Sequence, residues 1–498
     1  MTDPSIQNAI SLADRAQQAG LLADAEAVCR EILSRNPEEA GGLRILGVVC
    51  RKSGRGEEAV KHLTASIALD PDQPLAHRDL GDALHALARF DDAAAAYSRA
   101  IQLRADWAEV HGALGNALKD AGKLPEAIDA YTTATRLRPD LAMAHLRLGQ
   151  ALHEAGRREA AVGAVRRAIE LKPDWAEAFN SLGNLLWDEQ KPDEAITAYE
   201  KARKFQPGYP QANWSLGKLL AKRGDVEPAI ECFQRVVVSR PADATAHLNL
   251  ARMLRLARRI DAASAAYREA IRLAPDREDW RFELAACSGD GSASGAPEEY
   301  IRQLFDEYSP SYDRHMLGDL DYRVPELLLE AVNRAAPGRK FDSALDLGCG
   351  TGLCGQAFRP LVGRLIGVDL SAQMIRSATA RGVYEELING DLLTALTRQT
   401  AAFDLILAGD VLGYVGDLSR LFPAVGAALK SDGIFAFSIE HFDGPGFFLH
   451  GRERFGHSME YTRKTAAAAS LREISARQVQ LRRQADAQTA GWIVVLAK

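Results

Sequence analysis

Ala344-Leu345-Asp346-Leu347-Gly348-Cys349-Gly350-Thr351-Gly352 is the stretch on which the reading of this chain turns. Phe341 to Leu347 is an apolar run of strand length. It ends at three alternating glycines, and a helical pattern begins near Leu353. Strand, glycine loop and helix in that order let the backbone approach a nucleotide-like ligand. The loop alone would fit any dinucleotide. The acid ahead of it narrows the choice. A dinucleotide site offers a helix N-terminus to a pyrophosphate, and Asp346 suits a cation instead.

The pattern continues downstream as alternating strands and helices. Arg364 to Asp369 reads as a second strand and Ser371 to Arg381 as its helix. Leu387 and Ile388 lie on a short third strand before Gly390-Asp391. Phe403 to Ala408 is a fourth strand, Leu418 to Leu429 a helix and Gly433 to Ile439 a fifth strand. Two last strands, about 474–482 and 491–497, form a possible antiparallel hairpin. Such alternation implies a mostly parallel sheet covered on both faces. S-adenosylmethionine has no pyrophosphate and carries a cationic amino group and a sulfonium, so it fits Asp346. Asp369, 23 residues beyond Asp346, ends the second strand and can accept from both ribose hydroxyls. Asp391 can accept from an adenine amino group, with Leu392 stacked on the ring. It can equally cap the next helix.

These segments resemble the ordered motifs of class I S-adenosylmethionine-dependent methyltransferases. The first is the stretch quoted above, with Gly348, Gly350 and Gly352. The second is Gly367-Val368-Asp369-Leu370-Ser371 with Met374, and the third Asn389-Gly390-Asp391-Leu392. Phe403-Asp404-Leu405-Ile406 and Gly409-Asp410-Val411-Leu412 are similar to the fourth, and Leu429 to Gly433 to the turn before the fifth strand. The resemblance covers roughly 300–498. It implies a Rossmann-like seven-stranded sheet with its last strand antiparallel, and S-adenosylmethionine as cofactor. It implies Asp346, Gly348, Gly350, Gly352, Asp369, Leu370, Met374, Asp391 and Leu392 as cofactor residues, with Asp410 on the cofactor or substrate side.

Upstream, Gly47, Gly81, Gly115, Gly149, Gly183 and Gly217 stand 34 residues apart, each preceded by leucine. Alanine follows each glycine by twelve positions. Pro37, Pro71, Pro139, Pro173, Pro207, Pro241 and Pro275 close the units, and Ala105 alone breaks the series. This is a repeat array. It resembles the tetratricopeptide repeat over residues 6–277, as eight units. Each unit is a helix pair whose apolar face only a neighbour can bury. The resemblance implies an all-α right-handed superhelix with a concave groove that holds a protein or peptide. Its inward positions are Asn116, Asn180, Asn184, Trp214, Lys218, Leu248 and Arg252. Asparagine can both donate to and accept from a peptide backbone, and the cations can receive a carboxylate.

The chain thus reads as multidomain, with a repeat array over 1–285, a linker over 286–297 and a methyltransferase domain over 298–498. Residues 288–297, SGDGSASGAP, read as a flexible connection. Residues 298–337 read as a helical lid. The narrower resemblance is to bacterial methyltransferases that carry tetratricopeptide repeats. They share segments like Leu304-Phe305-Asp306-Glu307-Tyr308, Tyr312-Asp313 and Arg454 to Ser458 with Tyr461. Tyr308 and Tyr312 are candidate lid contacts to the cofactor, although Pro310 between them breaks a shared helix face.

If the acceptor must lose a proton, a base is needed. His457, His441 and Asp410 are the candidates. The fourth motif, Gly409-Asp410-Val411, is not the Asn/Asp-Pro-Pro-Tyr signature of exocyclic amine methylation. The chain contains no Pro-Cys dipeptide, which argues against cytosine C5 chemistry. A net charge of -6 over 498 residues argues against nucleic acid as acceptor. Six dispersed cysteines without a Cys-x-x-Cys pair imply no metal site and a reducing compartment. With no secretory start and no long apolar run, the expected protein is cytoplasmic and has no membrane span. Two classes of function remain. One is a methyltransferase, with its repeats binding a protein as substrate or scaffold or merely localising a small-molecule enzyme. The other is an interaction protein whose cofactor domain is weakly catalytic or inactive.

Overall fold

The computed structural model describes residues 4–498 apart from 292, 452 and 485–486. It divides into two compact units between Ser239 and Arg240.

The first unit is made of helix pairs, from Pro4–Gln18 with Leu22–Arg35 to Pro210–Arg223 with Val226–Ser239. Two periodic contacts hold the pairs. The first explains the glycines. A methyl built at Gly81 would stand 2.6 Å from the Tyr97 ring, at Gly115 2.6 Å from Tyr131, and at Gly183 2.5 Å from Tyr199. Each tyrosine then donates its hydroxyl to the residue after the glycine. Tyr97 reaches Asp82 at 2.7 Å, Tyr131 reaches Asn116 at 2.7 Å and Tyr199 reaches Asn184 at 2.8 Å. The second contact satisfies the turn. His77, His111 and His145 each bond the carbonyl six residues earlier, that of Pro71, Ala105 and Pro139, at 2.9, 3.1 and 3.0 Å. Asn213 donates to Pro207 in the same way at 2.9 Å. These bonds occupy carbonyls of the turn between units, beyond the end of the preceding helix.

The second unit contains the last helix pair, Ala244–Leu256 and Ile260–Leu273, the helix Glu278–Ser288 and the whole α/β domain. The sheet has nine strands. They are β1 (Phe341–Leu347), β2 (Val362–Asp369), β3 (Glu386–Asn389), β4 (Phe403–Ala408), β5 (Leu429–His441), β6 (Phe447–His450), β7 (Arg454–His457), β8 (Arg472–Gln484) and β9 (Ala487–Ala497). The order runs β3-β2-β1-β4-β5, parallel throughout, and β9 adds antiparallel to β5 and β8 to β9. The expected terminal hairpin is present. The hairpin of β6 and β7 is an addition to the seven strands, and β7 joins the end of β5 at Glu440 and His441. The central strands are apolar on both faces because helices cover both. β1 lies between β2 and β4, so the chain leaves it in opposite directions on its two sides. That reversal opens a crevice at the carboxyl ends of the strands.

The expected flexible linker is a fastened segment. Gly295 pairs with Val415 as an antiparallel bridge. The Ala296 N–H donates to the Tyr414 carbonyl at 3.0 Å, and the Asp417 N–H to the Ser294 carbonyl at 2.7 Å. The loop lies flush against this stretch at Gly416, where a methyl would stand 2.8 Å from the Ser294 oxygen. The helix before it is equally committed. Phe282 is 4% exposed. Its ring lies 5.1 Å from Tyr300 and 6.1 Å from Phe455, in a cluster with Ala285, Ala286 and Leu449. Tyr300 donates to Glu453 at 2.8 Å, and Arg255 of the last repeat pairs with the same carboxylate at 2.5 Å. The domain boundary expected at 285 therefore falls inside one apolar core.

Residues 240–498 alone are expected to unfold in one cooperative transition. A chain beginning at 298 exposes Leu449 and Phe455 and is expected to be insoluble or to melt well below it. Phe282→Ala should cost about 3–5 kcal/mol, read as a lower urea midpoint at unchanged slope. A full-stability fragment from 298 onward would contradict the shared core.

Candidate cofactor site

The site is built at the end of β1. Gly348, Gly350 and Gly352 all have positive φ, at 64°, 53° and 95°. Only glycine takes such values without strain. Gly348 is also sterically required, since a methyl there would stand 2.4 Å from the Val411 side chain. Asp369, at the end of β2, sets the loop. One of its oxygens accepts from the Gly350 N–H at 2.9 Å and the other from the Ser371 N–H at 2.9 Å. Burial pushes its pKa above the usual carboxylate range, and the two N–H groups offset part of that. Each oxygen keeps a second lone pair for a hydroxyl donor.

A small cavity lies over this loop. Gly348, Gly350, Asp369, Leu370, Met374 and Leu392 form its floor and sides, and Asp410, Val411, Tyr414 and Val415 its far wall. Ile301, Phe305 and Tyr312 cover it. Its volume is about 70 Å³, against roughly 300–1,000 Å³ for ordinary small-molecule sites. The covering segment is therefore closed down on the loop. It runs through the helix Glu298–Tyr308 and breaks at Ser309–Ser311, as Pro310 requires.

Two carboxylates that the sequence reading left without a role pin this lid. Asp306 accepts from the Ser371 hydroxyl at 2.5 Å and the Gln373 N–H at 3.3 Å. Asp313 accepts from the Thr351 hydroxyl at 2.5 Å and from Arg381. Both lie in the segments Leu304 to Tyr308 and Tyr312-Asp313, so the signal was present there. The tyrosines beside them drew the assignment. Tyr312 lines the cavity, whereas Tyr308 packs edge-on against Tyr312 and His315 at 5.1 and 5.6 Å.

Asp346 lies below the loop and is 1% exposed. Burial pushes its carboxyl up to about 7, and the Tyr384 hydroxyl, donating at 2.7 Å, offsets only part of this. Tyr384 was not anticipated. It fits because Gly355 and Gly367 leave room: a methyl at Gly355 would stand 2.3 Å from its hydroxyl. Asp391 accepts from the Thr394 N–H at 2.8 Å as the cap of the next helix. Leu392, beside it, lines the cavity.

None of the three candidate bases is free. His457 is fully buried, and its Nε2 bonds the carbonyls of Val415 and Gly416 at 2.9 and 3.0 Å. Burial pushes it down to about 4, so it is neutral near pH 7 and serves to hold the cavity wall. His441 accepts from the Trp492 indole at its Nδ1, 3.1 Å, and bonds Asp443 at its Nε2, 2.8 Å. It lines a different cleft. Asp410 does face the cavity, but both its oxygens are taken by Arg482 and one also by Arg454.

The groove positions are also redistributed. In the first unit, Asn116 and Asn184 accept from their tyrosines, and Asn180 is buried at 8%. Trp214 lies edge-on to Phe233 at 5.9 Å, and Lys218 is exposed. In the second unit, Leu248 is core at 4% exposed. Arg252 is not a free cation. It makes a two-pronged pair with Glu283, at 2.9 and 2.6 Å, and Tyr267 donates to the same carboxylate. Among the described residues no cluster has the makings of a metal site, and no helix is long and apolar enough to cross a membrane.

Residues 345–437 match a family model described as a methyltransferase domain. Residues 10–74, 180–231 and 217–278 match a tetratricopeptide repeat model, and further repeat models match 51–117, 115–156 and 143–174. A malonyl-[acyl-carrier protein] O-methyltransferase of Enterobacter lignolyticus is 25% identical over 141 residues, 28% of this chain and 53% of that protein. A trans-aconitate 2-methyltransferase of Paracidovorax citrulli is 34% identical over 135 residues, 27% and 50% of the two chains. A ubiquinone biosynthesis O-methyltransferase of Nitrobacter winogradskyi is 32% identical over 131 residues, 24% and 50%. The chain spans about half the length of these curated relatives. Sheet, glycine loop and family model together define a methyltransferase domain. The chain joins tetratricopeptide repeats to a class I domain of the S-adenosylmethionine-dependent type.

The buried Asp346 gives the cofactor a pH signature. A proton and a ligand cation compete for its charge, so affinity should rise as pH rises through about 7. Below that value the fall approaches about tenfold per pH unit at most. Titration calorimetry with S-adenosylmethionine from pH 6 to 8 reads this, and Asp346→Asn should flatten it. A flat profile in the unmodified chain would remove Asp346 from the cation's field.

Proposed function

We propose that this chain transfers a methyl group from S-adenosylmethionine, and that its repeat array recruits a protein partner as substrate or scaffold. The observation that carries the reading is the Asp369 carboxylate. It organises the glycine loop through Gly350 and the next helix through Ser371, and it faces the same cavity. That arrangement suits a ribose, and the buried acid Asp346 beneath the same loop suits a cation rather than a pyrophosphate.

When bound, S-adenosylmethionine supplies a methyl group on a positively charged sulfur. The chain's own task is alignment. In-line displacement gains most of its acceleration from holding the reacting groups in place. Gly348 and Gly350 allow the backbone to come close, and Asp346 supplies a negative charge beneath. Leu370, Met374 and Leu392 provide an apolar surface. Ile301, Phe305 and Tyr312 close over them and keep water out, with Asp306 and Asp313 as the latches. The candidate bases at the cavity, Asp410 and His457, are both engaged. An acceptor that is already an anion, or a neutral amine, needs none. Two of the relatives are named for acceptors, a malonyl group and aconitate, that carry carboxyl groups. A protein partner is supported by the exposed Lys218 and the half-buried Trp214 of the first unit.

Asp369→Ala should weaken S-adenosylmethionine binding by at least about tenfold, or about 1.4 kcal/mol. Calorimetry on the full chain reads it, and unchanged affinity would reject the ribose assignment. A labelled-methyl assay on native lysate, comparing the full chain with residues 240–498, tests the recruiting role. Transfer to a protein that needs the first unit supports it. Equal transfer by both leaves the array a localising device. Cofactor binding without transfer to any fraction favours a scaffold.

A further inference from the structure

Asp410 follows β4 and lines the cofactor cavity. It is held at φ 60°, in the left-handed region, by its own N–H on the Ser438 hydroxyl at 2.8 Å. Its carboxylate lies between two guanidinium groups. Arg454 donates to Oδ1 at 2.6 Å, and Arg482 to Oδ1 and Oδ2 at 2.7 and 2.9 Å. The side chains of Arg454 and Arg482 are 12% and 6% exposed. Glu440, at the end of β5, accepts from both arginines on the other side. Arg454 is steadied further by the Tyr414 ring, 4.6 Å from its guanidinium carbon.

The four charges form a partition. On Asp410's side is the cofactor cavity. On Glu440's side is a cleft of about 720 Å³, lined by Arg255 and Cys287 as well as His441 and Glu453. Two arginines fanned around one carboxylate make a carboxylate receptor, since the planar guanidinium matches that group in shape and charge. Here the carboxylate that the two arginines hold is Asp410, which lines the cofactor cavity, so a side chain of the protein fills the receptor. We propose that Arg454 and Arg482 are the binding site for a carboxylate carried by the acceptor, and that Asp410 occupies it until the acceptor arrives.

Charge balance selects the ligand. With Asp410 turned away, two guanidiniums and the Glu440 carboxylate leave one net positive charge. A carboxylate restores neutrality, whereas a phosphate dianion overshoots it. Removal of one buried partner without a replacement is costly, so the exchange of one carboxylate for another is the inexpensive motion. The word acceptor rests on the methyltransferase reading, but the carboxylate site does not.

The test uses calorimetry on the full chain with succinate, and with succinamide and inorganic phosphate as controls. Asp410→Asn removes the internal competitor, and asparagine tolerates the left-handed backbone. It should bind succinate at least about tenfold tighter than the unmodified chain, and succinamide not at all. Adding Arg454→Gln should abolish the gain. Succinate binding that Asp410→Asn leaves unchanged, or that survives Arg454→Gln, overturns the proposal. So does phosphate binding more tightly than succinate. The unmodified chain is an arm that does not depend on the variant folding. It should show weak, saturable succinate binding, and equal response to succinamide overturns the site. S-adenosylhomocysteine is titrated separately. Its failure to bind would remove the methyltransferase reading and leave the carboxylate result standing.

Discussion

A pair of short amphipathic helices cannot bury both of its faces, so a stack of such pairs must end against something. In this chain the last pair ends within the core of the methyltransferase domain. Phe282 closes the repeat side, and the surfaces it covers belong to β6, β7 and the lid. Glu453 ties the same three parts together, with Tyr300 on one oxygen and Arg255 on the other. The α/β domain thus takes the place of the capping unit that a repeat array otherwise needs. The closing helix and Tyr300 of the lid share one hydrophobic cluster.

Much of this was legible in the sequence because its signals are local and periodic. A 34-residue phase repeated through Leu-Gly pairs can come only from a stack. A strand, three glycines and an acid before and after them specify a loop and its cofactor. The five parallel strands and the final hairpin follow from apolar runs and their spacing. What stayed hidden depends on partners distant in sequence. SGDGSASGAP has the composition of a tether, but its backbone pairs with 414–417, and composition does not reveal that. Arg252 reads as a free cation until Glu283, 31 residues on, is seen to hold it. His457 reads as a base, because burial and the carbonyls of Val415 and Gly416 cannot be read from a histidine's neighbours. Asp306 and Asp313 lay within recognised segments, yet the adjacent tyrosines carried the stronger chemical suggestion.

Electrostatics separates the acids of the site by duty. Asp369 is buried but paid in N–H bonds, so it orders backbone. Asp346 is buried with only the Tyr384 hydroxyl and the Gly355 backbone to offset its burial, and its charge is therefore the one a cation can draw out. Glu440 lies at the other extreme: two arginines outweigh its burial and hold it at about 2. Asp410 shares those arginines, so its oxygens are engaged while its backbone stays bent. The same residue type thus serves as scaffold, field and gate within one crevice.

The division between Ser239 and Arg240 has a genetic consequence. Units upstream of it share one joint, an apolar or aromatic side chain of the second helix packed on the glycine of the first, leucine on Gly47, tyrosine on Gly81, Gly115 and Gly183, valine on Gly149 and phenylalanine on Gly217, so unequal recombination could add or delete a whole period without creating a new kind of joint. The final period is excluded from that traffic, because Arg252, Arg255 and Phe282 are committed to residues found nowhere else in the array. Repeat number is thus expected to drift among related chains while the last unit stays with the methyltransferase domain. The reach of the array can then evolve without reopening the chemistry at its end.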